Sequence, residues 1–291
     1  MIALTIGLAV FVGVALGLLG GGGSILTVPL LAYVAGMDAK QAIATSLLVV
    51  GVTSAIGAVS HARAGRVQWR TGLIFGAAGM AGAYGGGLLA RFIPGTVLLI
   101  GFAVMMIATA VAMLRGRKNV EVTEGGHRLP IPKIIAEGLV VGLVTGLVGA
   151  GGGFLVVPAL ALLGGLPMPV AVGTSLIVIA MKSFAGLGGY LSSVQIDWPL
   201  ALAVTGAAVI GALAGARLTA RVNPDSLRKT FGWFVLAMSS VILAQEIHIG
   251  VGVAAAALTA VAAIMTLACT RYAHCPLRRL TGTAASGDAA A

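Results

Sequence analysis

Gly20, Gly21, Gly22, Gly23 and Ser24 form a glycine-rich turn that leads into Val28-Pro29, and 129 residues later Gly149, Gly151, Gly152 and Gly153 form a second that leads into Val157-Pro158. Glycine lets a ligand approach the backbone closely. A helix that starts at such a turn presents unpaired N–H groups and about half a positive charge. Two such starts, on short segments near 24–35 and 153–164, could converge from opposite leaflets on one anion without an arginine. Each turn is followed at equal distance by a hydroxyl pair, Thr45-Ser46 and Thr174-Ser175. Those hydroxyls suit anion binding, and they equally suit hydrogen bonding between membrane helices.

Lys182 is the one cation expected at depth. It precedes Leu191 by nine residues, so it sits about 14 Å from that helix end. An ionisable residue there costs several kcal/mol and marks a candidate functional group. Ser175, Lys182 and Gly189 share a seven-residue spacing, as do Ser46, Thr53 and Ser60, so each set forms a stripe on one helix. Lys182 could attract an anion or exchange a proton; the structural alternatives are snorkelling and capping of a backbone carbonyl. The aligned pairs His61/Tyr190 and Trp69/Trp198 fit interfacial anchors. Glu137 lies near a helix start, where solvation explains it.

Other chemistries lack their residues. The glycine turns have no Gly-Lys-Ser/Thr and no βαβ context, so neither a P-loop nor a dinucleotide fold is expected, and no cofactor is implied. Cys269 and Cys275, with His274, make neither a zinc set nor a disulfide framework. Acidic residues avoid the apolar runs, which disfavours a cation pump. An enzyme reading finds no His-Glu-x-x-His and no aspartate pair, and a Ser24–His61 dyad would rest on residue type alone.

The elements that must carry these residues are membrane helices. Of 291 residues, 59% are hydrophobic and 9% charged, with 44 glycines and a mean hydropathy of +1.08. A soluble domain carries about 25% charged residues. Apolar runs predict spans near 2–19, 40–62, 71–90, 97–114, 134–149, 167–191, 199–216, 230–244 and 249–270. The pieces after the glycine turns are shorter and read as re-entrant half-helices or tilted spans. No period-two alternation supports a β-barrel.

The net charge of +10 does not indicate nucleic acid, because it is concentrated in four loops. These loops, 61–70, 115–133, 217–229 and the tail, hold 15 of the 18 Lys and Arg residues. The positive-inside rule makes them cytoplasmic, which places the C-terminus inside and the N-terminus outside. Counting crossings makes the glycine turns the bends of two oppositely oriented hairpins.

Residues 12–70 align with 141–199 without a gap, and 21 of the 59 pairs are identical, among them Gly20/Gly149, Pro29/Pro158, Thr45/Thr174 and Ser46/Ser175. The fold expected is an all-α polytopic membrane protein of two inverted-topology repeats, each with a glycine-broken hairpin. The boundaries are 1–115 for the first repeat, 116–133 for a cytoplasmic linker, 134–245 for the second repeat, 246–270 for an extra helix and 271–291 for a tail. Broken helices at matching positions of two repeats are a pointer to a transporter's substrate site.

At these residues the chain resembles the TauE/SafE sulfite exporter family, also called TSUP. The resemblance rests on the Gly-Gly-Gly-Gly-Ser to Val-Pro segment, Ala-Thr-Ser-Leu at 44–47, Gly-Thr-Ser-Leu at 173–176, and the Gln-Trp and Asp-Trp pairs at 68–69 and 197–198. It covers about residues 5–245. It implies transport of sulfite, sulfonates or related sulfur-containing anions across the bacterial cytoplasmic membrane. The expectation is therefore a secondary transporter working by alternating access, with an anion channel on the same site as the alternative. The glycine turns would supply backbone donors, Thr45, Ser46, Thr174 and Ser175 hydroxyls, and Lys182 a charge. The expected partners are the small anion and the lipid bilayer; a homodimer stays open, and no nucleic acid is expected.

Overall fold

The computed structural model describes residues 2–19, 24–114, 131–149, 156, 160, 168–218, 224–248, 250 and 252–260. The described residues are helical, joined by short loops. The long helices are α1 (Ile2–Leu19), α2 (Ala39–Arg63), α3 (Trp69–Leu89), α4 (Gly95–Leu114), α5 (Ile131–Val148), α6 (Met168–Leu191), α7 (Trp198–Leu218) and α8 (Pro224–Glu246). Four stretches among the described residues are both long and apolar enough to cross a bilayer: Ala39–Arg63, Trp69–Phe92, Val170–Leu191 and Trp198–Leu218. At 1.5 Å per residue, the 25 residues of α2 reach about 37 Å, more than the ~30 Å hydrocarbon core. The chain is an all-α polytopic membrane protein.

Local chemistry sets the helix ends. Asp38 caps α2, its carboxylate accepting from the Lys40 N–H at 3.2 Å. At the other end Gly65, with φ +67°, turns the chain, and the Arg66 N–H reaches back to the His61 carbonyl at 3.0 Å. A glycine in the left-handed region is the usual way to close a helix. Between α1 and α2, the expected short piece is present as a segment over 24–34. It contains an α-helical turn, Thr27–Pro29, and a π-helical turn, Leu30–Val34, and Gly36 at φ +70° follows it. Its counterpart near 153–164 lies outside the described residues except for Val156 and Leu160, which are buried.

Packing divides the chain into two compact units. The first combines residues 1–102 and 122–223, and so holds every element of the candidate site. The second combines 103–121 and 224–291; within it Gly232 of α8 lies against Leu114, where an added Cβ would come within 3.1 Å of the leucine side chain.

Two glycine seams organise the first unit. Along α3 and α5, Gly79 meets Gly142 and Ala83 meets Gly146, a four-residue step on each helix that makes the pair parallel. Along α1 and α7, Gly13 meets Ala208 and Gly17 meets Ala212 in the same way. A Cβ at Gly13, Gly17, Gly82, Gly142, Gly146, Gly211 or Gly215 would collide with backbone of the facing helix. Small residues thus let backbones touch, which replaces the hydrophobic drive that lipid cannot supply.

Between these seams lie α2 and α6. Leu47 faces Gly186, Gly51 faces Phe184 and Gly57 faces Leu176, so the helix bearing Thr45-Ser46 runs antiparallel to the one bearing Thr174-Ser175. At one end of the unit Lys40 Nζ donates to the Arg91 carbonyl at 3.2 Å, and Gln41 Nε2 donates to the Gln195 carbonyl at 3.2 Å. The loop with Arg63 and Arg66 lies at the other end, beside the start of α6, where a Cβ on Gly173 would meet the Arg66 carbonyl.

Candidate substrate site

The second glycine turn begins where α5 ends. The Gly149 N–H donates to the Thr145 carbonyl at 2.9 Å, and the residue then turns with φ +73°. Its carbonyl accepts from Ser46 Oγ of α2 at 3.0 Å. The fit is tight, since a Cβ on Gly149 would come within 3.0 Å of the Ile43 carbonyl oxygen. Ser46 and Gly149, singled out independently in the sequence, are therefore in direct contact across the two halves.

Lys182 reaches the same helix end from α6. Its Nζ donates to Thr145 Oγ1 at 3.2 Å, and the residue is 1% exposed. Thr145 can accept because its own hydroxyl proton points along α5, to the Val141 carbonyl at 2.7 Å. About two turns further along α6, the Tyr190 hydroxyl donates to the Leu147 carbonyl. Three side chains thus hold the last turn of α5, and an amine beside a helix C-terminus also meets the negative end of its dipole. Yet an ammonium has three N–H donors. Thr145 is the only hydrogen-bond partner of Lys182 Nζ among the described residues.

The other candidates are placed differently. Thr174 Oγ1 accepts from the Gln68 N–H at 3.0 Å, capping the start of α3, and Ser175 Oγ donates to the Val172 carbonyl of its own helix at 2.7 Å. Thr45 is buried, and its hydroxyl has no partner among the described residues. Because α2 and α6 are antiparallel, the two hydroxyl pairs are not gathered at one point. The ten residues from Leu47 to Gly57 separate their levels by about 15 Å along α2. Ser24 is fully buried in the first turn of the 24–34 segment. Gly20, Gly21, Gly22 and Gly23, and Gly151, Gly152 and Gly153, lie outside the described residues. The bend that is described, at Gly149, meets α2 at Ser46, five residues or about 8 Å short of that helix's midpoint.

Residue types and spacing alone did not bring out Thr145, Ser54 or Ser183. Thr145 aligns with Leu16, so the repeat carried no signal for it. Ser54 and Ser183 did leave one, since they are an identical aligned pair. Both are buried, and neither hydroxyl has a partner among the described residues. Among the described residues no group of three His, Cys, Asp or Glu side chains is placed to hold a metal ion.

A helical membrane protein with a glycine-broken helix end, clamped by an intramembrane amine, has the features of a transporter scaffold. The chain belongs to the TauE/SafE sulfite exporter family: residues 5–242 match the model described as "Sulfite exporter TauE/SafE". It is 35% identical over 241 residues to a probable membrane transporter protein of Xylella fastidiosa strain 9a5c, covering 81% of this chain and 92% of that protein. It is 28% identical over 235 residues to the probable membrane transporter protein YdhB of Bacillus subtilis, covering 79% and 95%. No solved structure matches it.

Proposed function

We propose that this protein moves a small sulfur-containing anion, sulfite, a sulfonate or a related oxyanion, across the cytoplasmic membrane by alternating access. The observation that carries the reading is the buried Lys182 amine, held one turn from Gly149 with donors to spare. A cation at bilayer depth is costly unless something negative accompanies it. Among the described residues of the first unit no acidic side chain bonds Lys182: Asp38 and Asp197 lie at helix starts, and Glu137 sits in the second turn of α5. A mobile anion would meet that need, and backbone donors of the glycine turn would complete its hydration shell.

Alternating access is supported by the aligned helices α2 and α6, which run in opposite directions side by side. Oppositely oriented repeats allow one sequence plan to build a gate on each side of a central site. In this reading the end bearing Arg63 and Arg66 faces the cytoplasm.

The experiment is uptake of radiolabelled sulfite, thiosulfate, taurine and sulfate into proteoliposomes. Saturable uptake of one sulfur anion, lost in Lys182→Met with the protein still folded, is expected. Uptake at channel rates with single-channel conductance would replace the carrier by a pore, and no uptake of any member would refute the substrate class.

A further inference from the structure

The two halves of the first unit match in sequence but not in packing. By the alignment, α1, α2 and α7 correspond to α5, α6 and α3. Both glycine seams are close, α1 with α7 and α5 with α3. The pairs that should match next are α3 with α6 and α7 with α2. The first is shut: a Cβ at Gly87 would fall 2.6 Å from the Gly186 carbonyl oxygen, and one at Gly189 would fall 2.6 Å from the Tyr84 carbonyl oxygen. The second is much looser. Between α2 and α7 lies a cavity of about 70 Å³, which Leu16 of α1 and Leu176 of α6 also line.

Most of the cavity's lining is apolar, and its polar side chains all come from α2. Thr53, Ser54, Ser60 and His61 line it. Thr53 and Ser60 donate to carbonyls of their own helix, so their hydroxyl protons are already engaged. Ser54 is 1% exposed, and its hydroxyl has no partner among the described residues. His61 Nδ1 is buried and also without one. A buried polar atom left unpaired costs free energy, so a site with two of them suits a hydrogen-bonding occupant. Ser54 and His61 are seven residues apart, so the polar strip runs about 10 Å along α2, toward the end where Arg63 and Arg66 follow.

The counterparts of these residues are Lys182 for Thr53, Ser183 for Ser54, Gly189 for Ser60 and Tyr190 for His61. Where His61 lines the cavity with its Nδ1 sealed and unpartnered among the described residues, Tyr190 is fully buried and bonded to the Leu147 carbonyl. Where Thr53 turns back on its own helix, Lys182 crosses to Thr145. One water needs about 10–15 Å³ of such space, so the cavity has room for roughly five heavy atoms, the size of a sulfur oxyanion.

We infer that the cavity beside Ser54 and His61 is a binding station for the transported oxyanion. It opens toward the Arg63–Arg66 end, in a state whose opposite route is shut by the Tyr190–Leu147 and Lys182–Thr145 contacts. The inference rests on the transport reading and adds to it a station, two contact residues and a closed gate. Ser54 Oγ and His61 Nδ1 donate to the oxyanion, and the arginines at the mouth raise its local concentration. Opening the other side breaks the Tyr190 and Lys182 contacts and draws α7 against α2.

Thiol labelling tests this without depending on transport. In a background with Cys269→Ser and Cys275→Ser, Ser54→Cys, Ser60→Cys and Ser183→Cys are each exposed to a membrane-impermeant methanethiosulfonate in inside-out and right-side-out vesicles. The Ser54→Cys and Ser60→Cys variants are expected to label from the Arg63–Arg66 face, at least tenfold faster than Ser183→Cys labels from either face. Millimolar sodium sulfate or taurine, oxidised sulfur compounds that do not themselves consume the thiosulfonate, is expected to slow labelling of Ser54→Cys several-fold. Equal rates in Ser54→Cys and Ser183→Cys, or labelling of Ser54→Cys only from the opposite face, would overturn the open-and-shut assignment. Fast labelling of Ser54→Cys that neither sulfate nor taurine slows would overturn the binding station. Uptake measured on the Cys269→Ser, Cys275→Ser background alone reports on the transport reading separately, since a chain that moves no anion can still show the labelling asymmetry.

Discussion

Replacing Gly149 by alanine tests whether the second glycine turn is built by its seat on α2 or by backbone conformation alone. At φ +73° any L side chain pays a left-handed penalty of about 1–2 kcal/mol. The new Cβ would also come within 3.0 Å of the Ile43 carbonyl oxygen and 3.1 Å of its Cα, neither of which can swing aside. Overpacking of this kind costs about 1–3 kcal/mol. Gly36→Ala supplies the control: its φ is +70°, and nothing lies within 4 Å of the added atom. The control carries the backbone cost alone, so the excess at Gly149 is about 1–3 kcal/mol. At about 2–4 °C per kcal/mol for a domain of roughly 150–250 residues, the melting point in detergent should fall about 2–12 °C further for Gly149→Ala than for Gly36→Ala. Equal shifts in the two variants would show that the turn does not bear on Ile43, and the described contact between the halves would be wrong.

Three other perturbations separate parts of the account. Ser46→Ala leaves the Gly149 carbonyl without its 3.0 Å donor, so stability should drop by about 1–3 kcal/mol in a denaturant titration, and Ser46→Thr should recover part of it. Gly211→Ala should destabilise the α1–α7 seam, where a Cβ would collide with the Val10 carbonyl. Gly206→Ala meets nothing within 4 Å and should be neutral or stabilising by about 0.5–1 kcal/mol in the same titration. Tyr190→Phe removes the hydroxyl that holds the Leu147 carbonyl; thiol labelling of Ser183→Cys should then speed up, while an unchanged rate would show that this contact is no gate.

Much of the fold is legible in apolar runs and their punctuation. The run at 40–62 became Ala39–Arg63, fixed by Asp38 before it and Gly65 after it. The run at 230–244 understated its helix, which starts at Pro224: proline suits a first helical position, and the polar turn through Asp225, Arg228 and Lys229 is helical without being apolar. The π-helical turn at Leu30–Val34 had no sequence marker.

The site was legible in pieces. Ser46 and Gly149 stood out by duplication, and the structure joins them, though each meets the other's half rather than its own counterpart. Lys182 stood out by depth, but its partner Thr145 lies 37 residues away on α5, where no local pattern could pair them. Thr45-Ser46 and Thr174-Ser175, expected to serve one site, lie at different levels, because matching positions on antiparallel helices separate unless they lie at the crossing point. Thr53 and Lys182, close to that crossing, are the aligned pair at mid-depth, and there the two halves differ in residue type.

The account stands or falls with the buried amine. The direct measurement is flux of radiolabelled sulfite into proteoliposomes holding equal amounts of folded wild type, Lys182→Met and Lys182→Arg. The account predicts saturable flux in the wild type, loss of at least tenfold in Lys182→Met and partial retention in Lys182→Arg. Full flux in Lys182→Met would contradict it.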